Sequence, residues 1–123
     1  MTAMKLENDL YEIVGCRPDA VVVRWRPESL IYKAHFPGNP ITPGVCIVGL
    51  VAELAQKLTE QRLVLRAVKN VKFVDIIRPG DGSEATFVFD KIEQSEDVLS
   101  VRGKVEVNAR VFTKFSMTFD IVR

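Results

Sequence analysis

Hydrophobic and polar positions in this chain follow two different periods. From Pro43 to about Glu60 the pattern is helical, and at first it is apolar on nearly every side: Val45, Ile47, Val48, Leu50, Val51, Ala52, Leu54, Ala55 and Leu58. Polar residues enter only from Glu53 onward. A helix apolar all round is wrapped by other structure. After the helix the period falls to two, which predicts strands. Val64 to Ile77 reads as one long strand, stopped by the turn cluster Arg78-Pro79-Gly80-Asp81-Gly82. Glu84 to Ile92 follows. Val98 to Val107 sets Leu99, Val101, Val105 and Val107 against Ser100, Arg102, Lys104 and Glu106. Val111 to Ile121 sets Val111, Phe115, Met117, Phe119 and Ile121 against Lys114, Ser116, Thr118 and Asp120. Ahead of the helix, Leu10–Val14 and Asp19–Arg26 read as strands and Leu30–Ala34 as a shorter extended piece. Residues 1–7 are polar and read as frayed. Short turns make neighbouring strands antiparallel. The expectation is one α+β domain over residues 1–123, a long helix packed on one face of a curved antiparallel sheet. Edge strands of such a sheet invite pairing with a second chain, so a homodimer is expected.

Between the extended piece and the helix lies HFPGNPITPG, starting at His35. Each proline drives the residue before it out of the α region, so this loop is not helical. Thr42 stands where an N-cap belongs, with Pro43 in the first turn, where a missing N–H costs nothing. His35 is the only histidine.

Composition narrows the function classes. Apolar residues make up 47% and charged residues 27%, with a net charge of +1, so there is no bulk case for nucleic acid or a membrane surface as partner. The N-terminus lacks a basic start followed by an apolar run, which points to the cytoplasm. Cys16 and Cys46 fit no metal spacing and are expected as reduced thiols. Cys46, with no second histidine to activate it, is expected as a small buried residue.

The eleven residues His35-Phe36-Pro37-Gly38-Asn39-Pro40-Ile41-Thr42-Pro43-Gly44-Val45 closely resemble the signature of the hotdog-fold 3-hydroxyacyl-[acyl carrier protein] dehydratases of fatty-acid synthesis. A weaker likeness continues through Val68-Lys69-Asn70-Val71-Lys72-Phe73 and the Arg78–Asp81 turn, with a flavour of relatives in specialised pathways such as aryl-polyene synthesis. The resemblance implies dehydration of a 3-hydroxyacyl thioester on acyl carrier protein to the trans-2-enoyl thioester, with no metal or cofactor. It makes His35 the catalytic base, a residue type suited to proton transfer at neutral pH. It makes the Gly44 N–H the donor to the thioester carbonyl, in a helical first turn whose N–H groups lack intrahelical partners. It places Phe36, Pro43, Val45 and Gly49 at the substrate.

One part of the family pattern is absent. The family carries a glutamate or aspartate fourteen residues after the histidine, and here that position is Gly49. Glu53, one turn further on the same helix face and leaning back toward the N-terminus, is the candidate substitute. The plainer alternative is that Glu53 marks the helix's emergence into solvent or pairs with a nearby cation. Three functions stay open. They are an active dehydratase, a subunit that binds acyl thioesters or pairs with a carboxylate-bearing homologue, and an acyl thioesterase, for which the fold argues by analogy only. Arg66, Lys69 and Lys72 are a candidate docking patch for the carrier, although strand alternation puts Lys69 opposite the other two.

Overall fold

The structure, a computed structural model, describes residues 5–123. Strands β1 (Tyr11–Arg17) and β2 (Ala20–Trp25) precede a short helix α1 (Leu30–Ala34) and the long helix α2 (Gly44–Thr59). Strands β3 (Arg62–Phe73), β4 (Glu84–Ser95), β5 (Val98–Val107) and β6 (Arg110–Val122) complete the chain. All six strands form one sheet in the order β1-β2-β4-β5-β6-β3, and each neighbouring pair is antiparallel. This is the hotdog arrangement, with α2 wrapped by the sheet.

The alternation in the strands does what the pattern requires. Leu99, Val101 and Val105 of β5 and Phe115, Met117, Phe119 and Ile121 of β6 point inward and are buried. They join Leu50, Val51, Leu54 and Ala55 of α2 in one core. Full burial of a side chain of this size contributes about 1.5–3 kcal/mol, so removing the helix from its groove would cost most of the domain's stability. Gly103 of β5 continues the inward row without a side chain. A Cβ there would meet the Val88 carbonyl oxygen of β4 and fall 2.7 Å from the Phe115 ring.

Several local expectations are corrected. Leu30–Ala34 is helical, because the Ser29 hydroxyl accepts from the Ile31 N–H at 3.3 Å and caps a single turn that buries Tyr32. The cap of α2 is Pro43, not Thr42, and the helix starts at Gly44. Thr42 is drawn away: its N–H donates to the Ile77 carbonyl at 2.8 Å, and its hydroxyl bonds the buried Tyr32 hydroxyl at 2.8 Å. The strand expected over Val64–Ile77 ends at Phe73, where the Val74 and Asp75 N–H groups both turn to the Phe112 carbonyl. Of the segment read as frayed, residues 1–4 lie outside the described residues. Leu6 is not frayed, being 4% exposed and part of the core.

The two edges of the sheet differ in character. β1 is seven residues long, whereas β3 runs for twelve and exposes Val64, Leu65 and Val68. A long edge strand with exposed apolar side chains is a template for another chain.

Candidate active site

The candidate site lies where the Pro/Gly loop delivers the chain into α2. α1 ends at His35, whose N–H donates to the Ile31 carbonyl at 3.0 Å, while the His35 carbonyl accepts from the Ile41 N–H at 3.2 Å. Those two bonds fix the backbone on either side of the imidazole. The ring itself is exposed, lies edge-on to Phe36 with centroids 6.3 Å apart, and makes no hydrogen bond among the described residues. It is therefore positioned through its backbone and open to a ligand.

At the start of α2 the Pro43 carbonyl accepts from the Cys46 and Ile47 N–H groups, at 3.0 and 3.2 Å. Pro43 offers no capping side chain, and among the described residues the Gly44 and Val45 N–H groups have no acceptor. Two unpaired donors at the positive end of a sixteen-residue helix favour a developing negative charge. Beside them is a cavity of about 280 Å³, lined among others by Pro43, Gly44, Ile47, Phe73 and Asp75. The Phe73 ring lies against Gly44, and a Cβ at residue 44 would fall 2.7 Å from its Cζ. A larger residue 44 would displace this half-exposed ring, so Gly44 permits the close contact as well as access to its N–H.

His35 is not part of that cavity's lining. Around both lies an apolar rim open to solvent: Val45 is 78% exposed and Phe36 59%, with Phe73, Val74 and Ile76 about half exposed. Residues of this size leave water when a partner or substrate covers them.

Phe73 and Asp75 belong to the site and were not singled out from the sequence, beyond Phe73's place in the weaker resemblance. The Asp75 carboxylate accepts from the Ile76 N–H at 2.7 Å and from Arg110 at 2.9 Å. The backbone N–H, and secondarily Arg110, holds its carboxyl below the usual range, so Asp75 is an ion and not a proton donor. Burial pushes the Cys46 thiol up, in keeping with a small apolar core residue.

Glu53 does not reach toward the site. Its carboxylate accepts from the Leu6 N–H at 2.7 Å, the Glu7 N–H at 3.0 Å and the Tyr11 hydroxyl at 3.0 Å. Glu7 in turn pairs with Lys57 at 2.9 Å. Neither expectation for Glu53 describes this, since it acts as a clasp that fastens the N-terminal segment across α2. Leu6 then covers Gly49, and a Cβ at residue 49 would fall 3.3 Å from the Leu6 Cδ1. The space a helix carboxylate would enter is occupied by an apolar side chain. Of the residues named from sequence, the structure gathers Pro43 and Gly44 at one cavity, sets His35, Phe36 and Val45 on the exposed surface, and puts Gly49 and Glu53 under the N-terminal segment.

Comparison with known proteins bears on the fold and the family. The ApeI-like family profile, described as ApeI dehydratase, matches residues 19–112. The 3-hydroxyacyl-[acyl-carrier-protein] dehydratase FabZ of Lactiplantibacillus plantarum is 34% identical over 97 residues, covering 73% of this chain and 62% of that protein. Its counterpart from Levilactobacillus brevis is 28% identical over 95 residues, covering 72% and 63%. The chain thus spans a little over three fifths of these relatives' length. Among solved structures, the dehydratase heterocomplex ApeI:P from Xenorhabdus doucetiae superposes with a TM-score of 0.63 at 16% identity, over 93% of this chain and 99% of that one. An HP0420 homologue from Helicobacter felis superposes at 0.71 with 14% identity, over 99% and 84%. A hypothetical thioesterase from Streptococcus pneumoniae, solved with coenzyme A, reaches 0.66 at 15% identity, over 91% and 85%. These likenesses establish a shared fold. With the family match over most of the length, they make this chain a member of the ApeI-like dehydratase family.

Proposed function

We propose that the chain binds a 3-hydroxyacyl thioester presented on acyl carrier protein and dehydrates it to the trans-2-enoyl thioester. The observation that carries this reading is the Gly44 N–H, without an acceptor among the described residues, at a largely apolar cavity at the end of the His35 loop. The thioester oxygen accepts from the Gly44 N–H, which stabilises the enolate formed as the α-proton leaves. The His35 imidazole takes that proton. The electron pair then forms the C2–C3 double bond, the C3–O bond breaks, and the hydroxyl leaves as water after accepting a proton. Formation of enoyl thioester, followed by its ultraviolet absorbance, tests the reading. His35→Ala is expected to lower the rate about 10²–10⁴-fold. Full turnover by that variant, or thiol release without enoyl product, overturns it.

The protonation of the leaving hydroxyl supports a second element. Gly49 supplies no acid, and Glu53 is engaged by three donors. We infer that the site works in an assembly, either a homodimer in which the His35 imidazolium returns the proton, or a pair with a homologous hotdog chain whose helix carries the carboxylate. The exposed β3 edge and the apolar rim of Phe36, Val45 and Phe73 provide the surface for such pairing. Sedimentation of the purified chain, with turnover measured alone and after mixing with a carboxylate-bearing homologue, separates the two arrangements.

A further inference from the structure

The loop that carries His35 is closed at its neck by a contact that the proposed chemistry leaves unused. Tyr32 lies on α1, three residues before His35, and Thr42 lies two residues before Gly44. Their hydroxyl groups are hydrogen-bonded at 2.8 Å. The pair is shut off from water, with Tyr32 2% and Thr42 4% exposed. Buried polar groups need partners, and among the described residues these two hydroxyls find only each other.

A second contact lies beside the first, where the Ile41 N–H donates to the His35 carbonyl at 3.2 Å. Residues 35–41 are therefore a loop pinched at its base by two rungs, one between backbones and one between side chains. A third tie anchors one side, because the Thr42 N–H donates to the Ile77 carbonyl at 2.8 Å. Ile77 is buried in the core, so Thr42 is fixed to the body of the fold. α1 is different. It is a helix of five residues, too short to be stable by itself. It is held by the burial of Tyr32 and by the bond to Thr42.

The two sides of this neck carry the two groups assigned to the thioester. Beyond Tyr32 the chain delivers the His35 imidazole, and beyond Thr42 it delivers the Gly44 N–H, which lacks an acceptor among the described residues. The imidazole makes no hydrogen bond of its own among those residues, so its place relative to Gly44 is inherited from the neck. Thr42 borders the Gly44 cavity, but its hydroxyl is engaged by Tyr32, and Tyr32 lies outside the cavity lining. From this geometry we propose that Tyr32 and Thr42 are positioning residues, whose hydroxyl pair sets the separation between the His35 imidazole and the Gly44 N–H. The inference rests on the roles given to His35 and Gly44 in the proposed reaction. Misplacement of reacting groups by about 1 Å can cost about 10²-fold in rate, so a bond that touches no reacting atom is enough to govern turnover.

The test compares wild type with Tyr32→Phe, which removes one oxygen and keeps the buried ring, with Thr42→Val and Thr42→Ser, and with the double variant combining Tyr32→Phe and Thr42→Val. Tm is measured, together with kcat and KM for a 3-hydroxyacyl thioester. The imidazole resonances of His35 are followed by NMR, free of overlap because it is the only histidine. Each apolar single variant leaves one buried hydroxyl unpaired and lowers Tm, whereas the double variant replaces both partners and regains most of it. Tyr32→Phe and Thr42→Val are expected to lower kcat about 10–10²-fold with KM within about threefold of wild type. Both shift the His35 resonances. Thr42→Ser keeps the hydroxyl, stays within about threefold of wild-type kcat and reproduces the wild-type imidazole spectrum. The double variant retains the low kcat and the shifted resonances although its Tm has recovered. Recovery of kcat in step with Tm overturns the proposal, because the pair then serves stability alone. Unaltered kcat and unaltered His35 resonances in Tyr32→Phe overturn it as well. A wild type that dehydrates nothing removes the reaction and leaves the spectrum to decide: shifted His35 resonances in Tyr32→Phe and in the double variant uphold the positioning pair, and unshifted ones overturn it.

Discussion

The clasp at Glu53 gives the sharpest prediction, because a structural role and a catalytic role for this residue differ in what they change. Glu53→Ala removes the acceptor from three donors at once. The Tyr11 hydroxyl belongs to a residue with no exposed surface and is left unsatisfied, which costs about 1–3 kcal/mol. The Leu6 and Glu7 amides regain water once the segment lifts, so their loss is closer to the net value of ordinary hydrogen bonds, about 0.5–1.5 kcal/mol each. Allowing for partial relaxation, the total is about 2–4 kcal/mol, or a fall in Tm of about 8–16 °C for a domain of this size. Thermal unfolding followed by circular dichroism measures the total, and hydrogen exchange at the Leu6 and Glu7 amides locates it. If Glu53 were instead the proton donor, its removal would leave Tm nearly unchanged and slow dehydration about 10²–10⁴-fold. That combination would refute the clasp.

Three further outcomes follow from the same geometry. Gly44→Ala sets a Cβ against the Phe73 ring; it is expected to change stability by no more than about 1 kcal/mol but to lower kcat/KM about tenfold or more by closing the approach to the helix N-terminus, and undiminished turnover would remove Gly44 from the site. Ala109 sits at φ +64° beside Asn108 at φ +52° in the β5–β6 turn, so Ala109→Gly is expected to stabilise by about 0.5–1 kcal/mol in denaturant unfolding, and a loss of stability contradicts the turn geometry. Alkaline titration reads the buried hydroxyls. Burial raises both tyrosines, Tyr11 and Tyr32, above their ordinary value of 10.0, with Glu53 adding to the effect at Tyr11 and the Thr42 hydrogen bond opposing it at Tyr32. A raised folded-state pKa stabilises fully below the unfolded value and loses its contribution as pH climbs above it. Stability should therefore decline above about pH 10, with tyrosinate absorbance appearing only together with unfolding. A tyrosinate signal near pH 10 in a chain that keeps its native circular dichroism would contradict the burial.

The parts of this molecule legible in its sequence are those written at short range. α2 and the strands follow from periodicity sustained over ten or more residues, and the His35–Pro43 loop from prolines that forbid a helix. α1 is not legible in the sequence because five residues are too few to display a helical period. Local sequence points to Thr42 as a cap because its competing partners, Tyr32 and Ile77, are brought to it only by the fold. The same holds for Glu53, whose donors lie 42 to 47 residues away, and for Phe73, which meets Gly44 only once β3 has joined the sheet beside α2.

The side chain of Leu6 over Gly49 makes two distant parts of the sequence answer to each other. A Cβ at residue 49 already falls 3.3 Å from the Leu6 Cδ1, and the Leu6 backbone is fastened by Glu53. A longer side chain at residue 49 therefore displaces Leu6 before it gains room, and the cost of the substitution is borne partly by the N-terminal segment. Changes at residues 6, 49 and 53 are thus expected to be non-additive, each altering what the other two can tolerate.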